Sequence, residues 1–210
     1  MNSSTQPTES FPFLFRPMRE EDIAEVMEIE RQSFPMPWPE SVYRHEIRYG
    51  TDSLYYVLQP YREPAPTTWL ERVFGPARRR VRPSVIGYVG MRFLPGEAHI
   101  TTIAVHPQWR GRGLGKYLLL MAIRQAARHP IRFVTLEVRA SNRVAQQLYT
   151  EVGFRFVGVQ RRYYRDGEDA WLMQLGPLDR AEMERLEAIL RETEARIQPI
   201  AVSSEPSVGR

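Results

Sequence analysis

Residues His106-Pro107-Gln108-Trp109-Arg110-Gly111-Arg112-Gly113-Leu114-Gly115-Lys116 carry the densest chemical signal in the chain. An apolar run ends at a proline, and a basic, glycine-punctuated loop opens directly into a helical pattern. The amide groups freed at a helix start, together with the positive end of its dipole, suit a phosphate. Glycines at 111, 113 and 115 let the main chain approach a ligand without a Cβ in the way. Arg110, Arg112 and Lys116 add positive charge that a pyrophosphate would accept. No G-x-G-x-x-G fingerprint and no G-x-x-x-x-G-K-[ST] loop can be drawn here, which disfavours dinucleotide and Walker-type readings.

A second cluster is Leu136-Glu137-Val138-Arg139-Ala140-Ser141-Asn142, followed by Leu148-Tyr149 and Gly153-Phe154. Glu137 interrupts an apolar strand, where an unpaired carboxylate is costly unless it lies at an edge or lines a cleft. There it could act as a general base, and Tyr149 on the following helix could supply a proton to a leaving group. A salt bridge for Glu137 and a core position for Tyr149 are the plainer alternatives. His99 and His106 are read as structural rather than catalytic.

Composition narrows the field. The chain has 210 residues, 42% of them hydrophobic, which suffices for one domain with additions. It has no cysteine, which removes disulfides, thiolate metal sites and thiol catalysis. Its four histidines form no H-x-x-x-H pair and no G-x-S-x-G is present, so no metal is expected and serine-hydrolase chemistry lacks support. No apolar run approaches the ~20 residues of a membrane span, and the first ten residues do not resemble a signal peptide; a cytoplasmic protein without membrane contact is expected. Residues 59–83 hold six arginines against two glutamates, which accounts for the whole net charge of +4. The remainder is balanced, unlike a general nucleic-acid binder.

The elements that must position these residues follow from hydropathy and punctuation. Residues 1–10 read as a disordered tail. Phe11 to Met18 suits a strand, and Glu20 to Ser33 a helix with Glu30 on its polar face. Phe34 to Glu40 is a rigid, proline-rich turn bearing Trp38, leading into a helix from Pro39 to Tyr49. A strand follows at Ser53 to Leu58. Residues 84–94 and 97–105 form a hairpin turned by Gly96. Leu114 to Ala127 is an apolar helix and Ile131 to Val138 a strand. Ser141 is expected to cap a helix running to Val152 and ended by Gly153. Phe154 to Gln160 and Ala170 to Leu175 are the last strands. Strands interleaved with helices imply a mixed, mostly antiparallel sheet flanked by helices, an α/β fold. Two segments look added: the proline- and arginine-rich insert 59–83, with a helical turn at Thr68 to Phe74, and an amphipathic helix over 178–197. Residues 198–210 read as a frayed tail. The insert is read first as a solvated loop, with RNA contact as the other possibility.

Residues 11–177 resemble the GCN5-related N-acetyltransferases (GNAT), and within them the RimI type that acetylates the N-terminal alanine of a ribosomal protein. The matching pieces are Phe34 to Trp38, Ile103-Ala104-Val105-x-Pro107, Arg110-x-x-Gly113-x-Gly115, Leu136 to Arg139 with Ser141-Asn142, Leu148-Tyr149, Gly153-Phe154, and Tyr163-Tyr164 with Glu168-Asp169-Ala170. The resemblance implies acetyl-CoA as donor and direct transfer to an amine. It implies that the Ile103, Ala104 and Val105 main chain holds the pantetheine arm, as an added strand would. The loop Gly111 to Lys116 with Leu114 would then hold the pyrophosphate, and Asn142 would touch the cofactor. By the same carry-over Glu137 is the general base, Tyr149 the general acid, and Trp38, Tyr163 and Tyr164 line the peptide channel. A small-molecule amine as acceptor, or a non-catalytic CoA-binding, ribosome-associated module, remain the competing readings.

Overall fold

The computed structural model describes residues 11–61 and 85–202, with side chains described up to residue 197. The expected tail 1–10, residues 62–83 of the insert with the helical turn at Thr68 to Phe74, and the tail from 203 onward lie outside the described residues.

Seven strands form one sheet in the order β1-β2-β3-β4-β5-β7-β6. They are β1 (Phe13–Pro17), β2 (Ser53–Pro60), β3 (Gly87–Leu94), β4 (Glu97–Val105), β5 (Phe133–Arg139), β6 (Arg155–Gln160) and β7 (Ala170–Leu175). Every pairing is antiparallel except β4 with β5. The expected mixed, mostly antiparallel sheet is therefore present. β2 runs two residues further than expected, so the insert starts as strand. Among the described residues, the helices are α1 (Ile23–Ser33), α2 (Glu40–Tyr49), α3 (Leu114–Ala126), α4 (Arg143–Val152) and α5 (Arg180–Val202). The acidic run Glu20–Asp22 forms a separate turn of 3-10 helix ahead of α1.

Side chains alternate along the strands between two apolar clusters, as a sheet covered on both faces requires. Val89 and Met91 of β3, Ile100 of β4 and Val134, Leu136 and Val138 of β5 join α3, α4 and α5 in the larger cluster. Tyr88 of β3, Ala104 of β4 and Val57 of β2 join α1 and Tyr43 of α2 in the smaller one. The broad apolar character of α3 has a direct cause: it packs on β3 and β4 and is covered in turn by α5, so Leu118, Leu119, Met121 and Ile123 are all buried. Leu186, Leu190 and Ile197 supply the inner face of α5. At roughly 1.5–3 kcal/mol per fully buried large aliphatic side chain, this helix is a substantial part of the core.

Ser141 does not cap α4. The cap is Asn142, whose Oδ1 accepts the Ala145 N–H at 3.2 Å. Ser141 is held elsewhere: its N–H donates to Glu168 at 2.8 Å. Gly153, at φ +117°, ends the helix as expected.

Candidate active site

The site begins where β4 and β5 part. Their parallel pairing runs from Glu97 opposite Phe133 to Ile100 opposite Leu136 and then ends. Beyond that point β4 keeps β3 as its neighbour, while β5 keeps β7. The separation coincides with a bulge in β4: Gly90 pairs with Thr102 and Met91 with Ile100, leaving Thr101 as the extra residue. The opened edges expose main-chain groups that an extended ligand could satisfy, the physical basis of strand addition. A cleft of about 440 Å³ lies between them, within the range of small-molecule sites.

Ile103, Glu137, Asn142, Tyr149, Trp38, Tyr163 and Tyr164 all border this one cleft. Seven of the residues singled out in the sequence are thus brought together. Ala104 and Val105 continue the β4 edge with their side chains buried. The residues from Arg110 to Lys116 follow that same edge, past its C-terminal end, and do not line the cleft.

The loop has the backbone a phosphate site needs. Gly111 and Gly113 sit at φ +76° and +80°, in left-handed conformation, and a Cβ at Gly111 would meet nothing within 4 Å. Gly113 caps α3, whose first amides have no intrahelical partners. Gly115 serves a different purpose: a Cβ there would stand 3.2 Å from Leu148, so it lets α3 approach α4. Leu114 is buried and anchors the helix start. The side-chain charges are engaged within the fold. Arg110 donates from Nε to the Val105 carbonyl at 3.0 Å and from its terminal nitrogen to Ser33 Oγ at 2.7 Å. Arg112 lies over the Trp109 ring, 4.9 Å from its centroid, and Lys116 pairs with Glu151. The main chain of this segment is what fits a diphosphate best.

Glu137 emerges from β5 on the face opposite α3, its side chain 19% exposed. His99 Nε2 lies 3.0 Å from its Oε2. Hydrogen bonding to Glu137 raises the His99 pKa above its ordinary value despite partial burial, and the charges of Glu137 and Glu97 act in the same direction. Tyr149 is 7% exposed, and burial pushes its phenol well above the ordinary value, so it stays protonated through the neutral range. Burial and the neighbouring Glu137 carboxylate also raise Tyr163. Burial, with Tyr163 next to it, brings Tyr164 to about 12, and the Arg139 guanidinium sits 4.0 Å over its ring. Arg139 is fixed by Asp166 at 2.7 Å and Glu168 at 2.6 Å. The Ser141 hydroxyl and amide, with Arg139, hold Glu168 down at about 2. The tyrosine pair is therefore mounted on a charged scaffold that ties the β6–β7 connection to the end of β5.

Sequence reasoning missed Glu30. It is 2% exposed and borders the cleft rather than facing solvent. Its Oε1 accepts the Trp38 N–H at 3.0 Å, and Oε2 accepts the Tyr88 hydroxyl, which itself lies 3.4 Å from that of Tyr43. Burial raises its pKa, an effect the Trp38 amide partly opposes. The spacing Ile23, Val26/Met27, Glu30 places it on the inward stripe of α1, a signal its polarity masks. Its function in the fold is to hold the Phe34–Trp38 turn against the cleft.

A β4–β5 opening, a glycine-rich helix start past the end of β4 and a strand carboxylate beside the opening suit an acyl-transfer enzyme. The acetyltransferase (GNAT) family profile matches residues 23–154. The chain belongs to this family of N-acetyltransferases. It is 35% identical over 159 residues, 75% of this chain and 91% of the relative, to a Bacillus subtilis protein provisionally named a [ribosomal protein bS18]-alanine N-acetyltransferase. It is 30% identical over 166 residues to an N-alpha-acetyltransferase of Sulfurisphaera tokodaii, covering 77% of this chain and 91% of the relative. The crystal structure of the ribosomal-protein-S18-alanine N-acetyltransferase from Escherichia coli superposes with a TM-score of 0.61 at 26% identity, over 79% of this chain and 94% of that one.

Among the described residues no helix is long and apolar enough to cross a membrane, and no group of three or more His, Asp or Glu could hold a metal ion.

Proposed function

We propose that this chain is an N-alpha-acetyltransferase that moves the acetyl group of acetyl-CoA onto the N-terminal amine of a protein, and that its acceptor is the N-terminal alanine of a ribosomal protein in the cytoplasm. The observation that carries this reading is the opened β4 edge, which borders the cleft holding Glu137 and Tyr149 and ends shortly before the amide-rich start of α3. The names of the relatives support the acceptor class. The unit responsible is residues 11–177, with α5 as an addition packed on α3.

Acetyl-CoA supplies an activated thioester carbonyl. The β4 edge from Thr101 to Val105 would align its pantetheine arm, and the Gly111 to Leu114 main chain would receive its diphosphate. Lone main-chain N–H groups on β4 are suited to stabilise the oxyanion that forms when an amine attacks. An α-amine has an ordinary pKa near ~7.7–8.0, so a carboxylate base suffices to free its lone pair, whereas a lysine side chain near ~10.4 asks for more. Glu137 accepts the amine proton. Tyr149, kept protonated by burial, donates to the departing thiolate. Trp38 and the Tyr163–Tyr164 pair border the cleft and are suited to grip a short peptide.

Incubation with acetyl-CoA and short peptides differing in their first residue tests the reading. Alanine-initiated peptides should be acetylated on the α-amine, and the same peptides with a blocked amine should not. Absence of α-amine acetylation, with turnover on a polyamine such as spermidine, would instead assign a small-molecule acceptor.

A further inference from the structure

The geometry points to His99 as the group behind Glu137 that takes over the acceptor's proton, oriented for that task by Thr135 and Glu97. This rests on the proposed role of Glu137 as general base.

Four side chains from two strands form a line on the face of the sheet opposite α3. His99 and Thr135 are direct partners in the parallel β4–β5 register, with Glu97 two residues before His99 and Glu137 two residues after Thr135. His99 Nε2 is 3.0 Å from Glu137 Oε2, and Nδ1 is 2.9 Å from Thr135 Oγ1. The Thr135 hydroxyl donates to Glu97 Oε1. The donor logic then follows along the line. An ionised carboxylate only accepts, so the threonine hydrogen points to Glu97 and its lone pair faces the ring. Nδ1 must therefore carry a hydrogen, which leaves the Nε2 lone pair of the neutral ring aimed at Glu137. While the ring is neutral, a carboxylate and an imidazole lone pair face each other at 3.0 Å with no proton between them, a vacancy that one proton fills. The pair is built to hold one.

The proton balance uses that vacancy. An ammonium acceptor and a thioester give an amide, a thiol and one proton in excess. The N–H bond of the acceptor breaks towards Glu137, and an Nε2–H bond forms on His99, leaving an imidazolium beside a carboxylate. Thr135 and Glu97 stabilise that cation through Nδ1–H, as the third member of a hydrolase triad does for its histidine. The second amine proton passes to Tyr149 and replaces the one given to the thiolate; the imidazolium then loses the Nε2 proton to water and the cycle closes. The route out is present. A second cleft, of about 560 Å³, is bordered by Glu97, His99, Thr135 and Glu137 and shares Glu137 with the first. Arg92, the neighbour of His99 on β3, opposes the two carboxylates by favouring the neutral ring, which eases that release. Tyr163 faces Glu137 from the other side.

The test uses the full chain, acetyl-CoA and an alanine-initiated peptide, with CoA affinity and melting temperature measured for each variant. In the wild type, kcat should fall as pH drops through the His99 pKa, which stands above the ordinary ~6.5, because the neutral ring is the acceptor. His99→Gln should lower kcat about tenfold or more and abolish that acidic limb, with CoA affinity retained. Added imidazole should restore turnover to His99→Ala. Thr135→Val and Glu97→Gln should move the limb to lower pH. If Glu137→Gln slows turnover while His99→Gln keeps the wild-type rate and profile, the inference is overturned and the base assignment stands. A slow His99→Gln with the limb unmoved and no rescue of His99→Ala overturns it equally, leaving His99 a packing residue. Wild-type turnover by Glu137→Gln would remove the base assignment itself.

Discussion

Two carboxylates border the same cleft and are treated in opposite ways by the fold. Glu30 comes from α1, is almost wholly buried, and spends both oxygens on partners that do not change, the Trp38 amide and the Tyr88 hydroxyl. Glu137 comes from β5, remains partly exposed, and faces a histidine whose protonation can change. A carboxylate with both oxygens committed to fixed donors is a fastener. One paired with a titratable neighbour on an open edge can exchange protons. Position along the cleft does not separate these roles, but the company each group keeps does.

Breaking each carboxylate in turn should separate rate from stability. Glu137→Gln is expected to lower kcat by about 10²–10⁴-fold with little change in melting temperature; steady-state kinetics and calorimetry on the same preparation check both halves. Glu30→Gln should reverse the balance. Exchanging an acceptor for a mismatched amide at a buried site costs about 1–3 kcal/mol, roughly 2–10 °C in Tm for a chain of this size. Its KM for peptide should rise through the loosened Trp38 turn more than its kcat falls. A large loss of kcat at unchanged KM in that variant would mean Glu30 does chemistry as well.

Smaller effects sharpen the contrast. Gly113→Ala places a side chain at φ +80°, at a cost of about 1–2 kcal/mol, and should weaken CoA binding without altering the pH profile of kcat. Titration should also distinguish the wild type from Glu30→Gln. Because the folded pKa of Glu30 is raised, the folded state binds its proton more tightly than the unfolded chain. That contribution is fully present below the ordinary carboxylate value and is lost as pH rises through the folded value. The stability difference between the two proteins, followed by denaturant titration from about pH 4 to about pH 8, should show this slope in the wild type alone.

Much of this arrangement could be read from residue order. The hairpin at Gly96, the Gly-to-helix loop and the Glu137/Tyr149 spacing are local patterns, and the fold keeps them. What escaped the sequence depends on neighbours distant along the chain. Glu30 looked solvent-facing because its partners, Tyr88 and Trp38, come from β3 and the turn after α1. The contacts of His99 with Thr135 and Glu137 could not be read because both partners lie on β5, more than 35 residues away. Ser141 looked like a cap because Ser and Asn are equally good at that position; Glu168, 27 residues on, decides between them. The arginines of the loop looked like ligands for an anion, whereas Arg110 is tied to Val105 and Ser33.

That last tie has a mechanical corollary. One guanidinium spans from the far end of β4 to the last residue of α1, the hinge from which the Trp38 turn departs. Anything that drew Arg110 away would release Ser33 at the same stroke, so the loop and the collar cannot be rearranged independently.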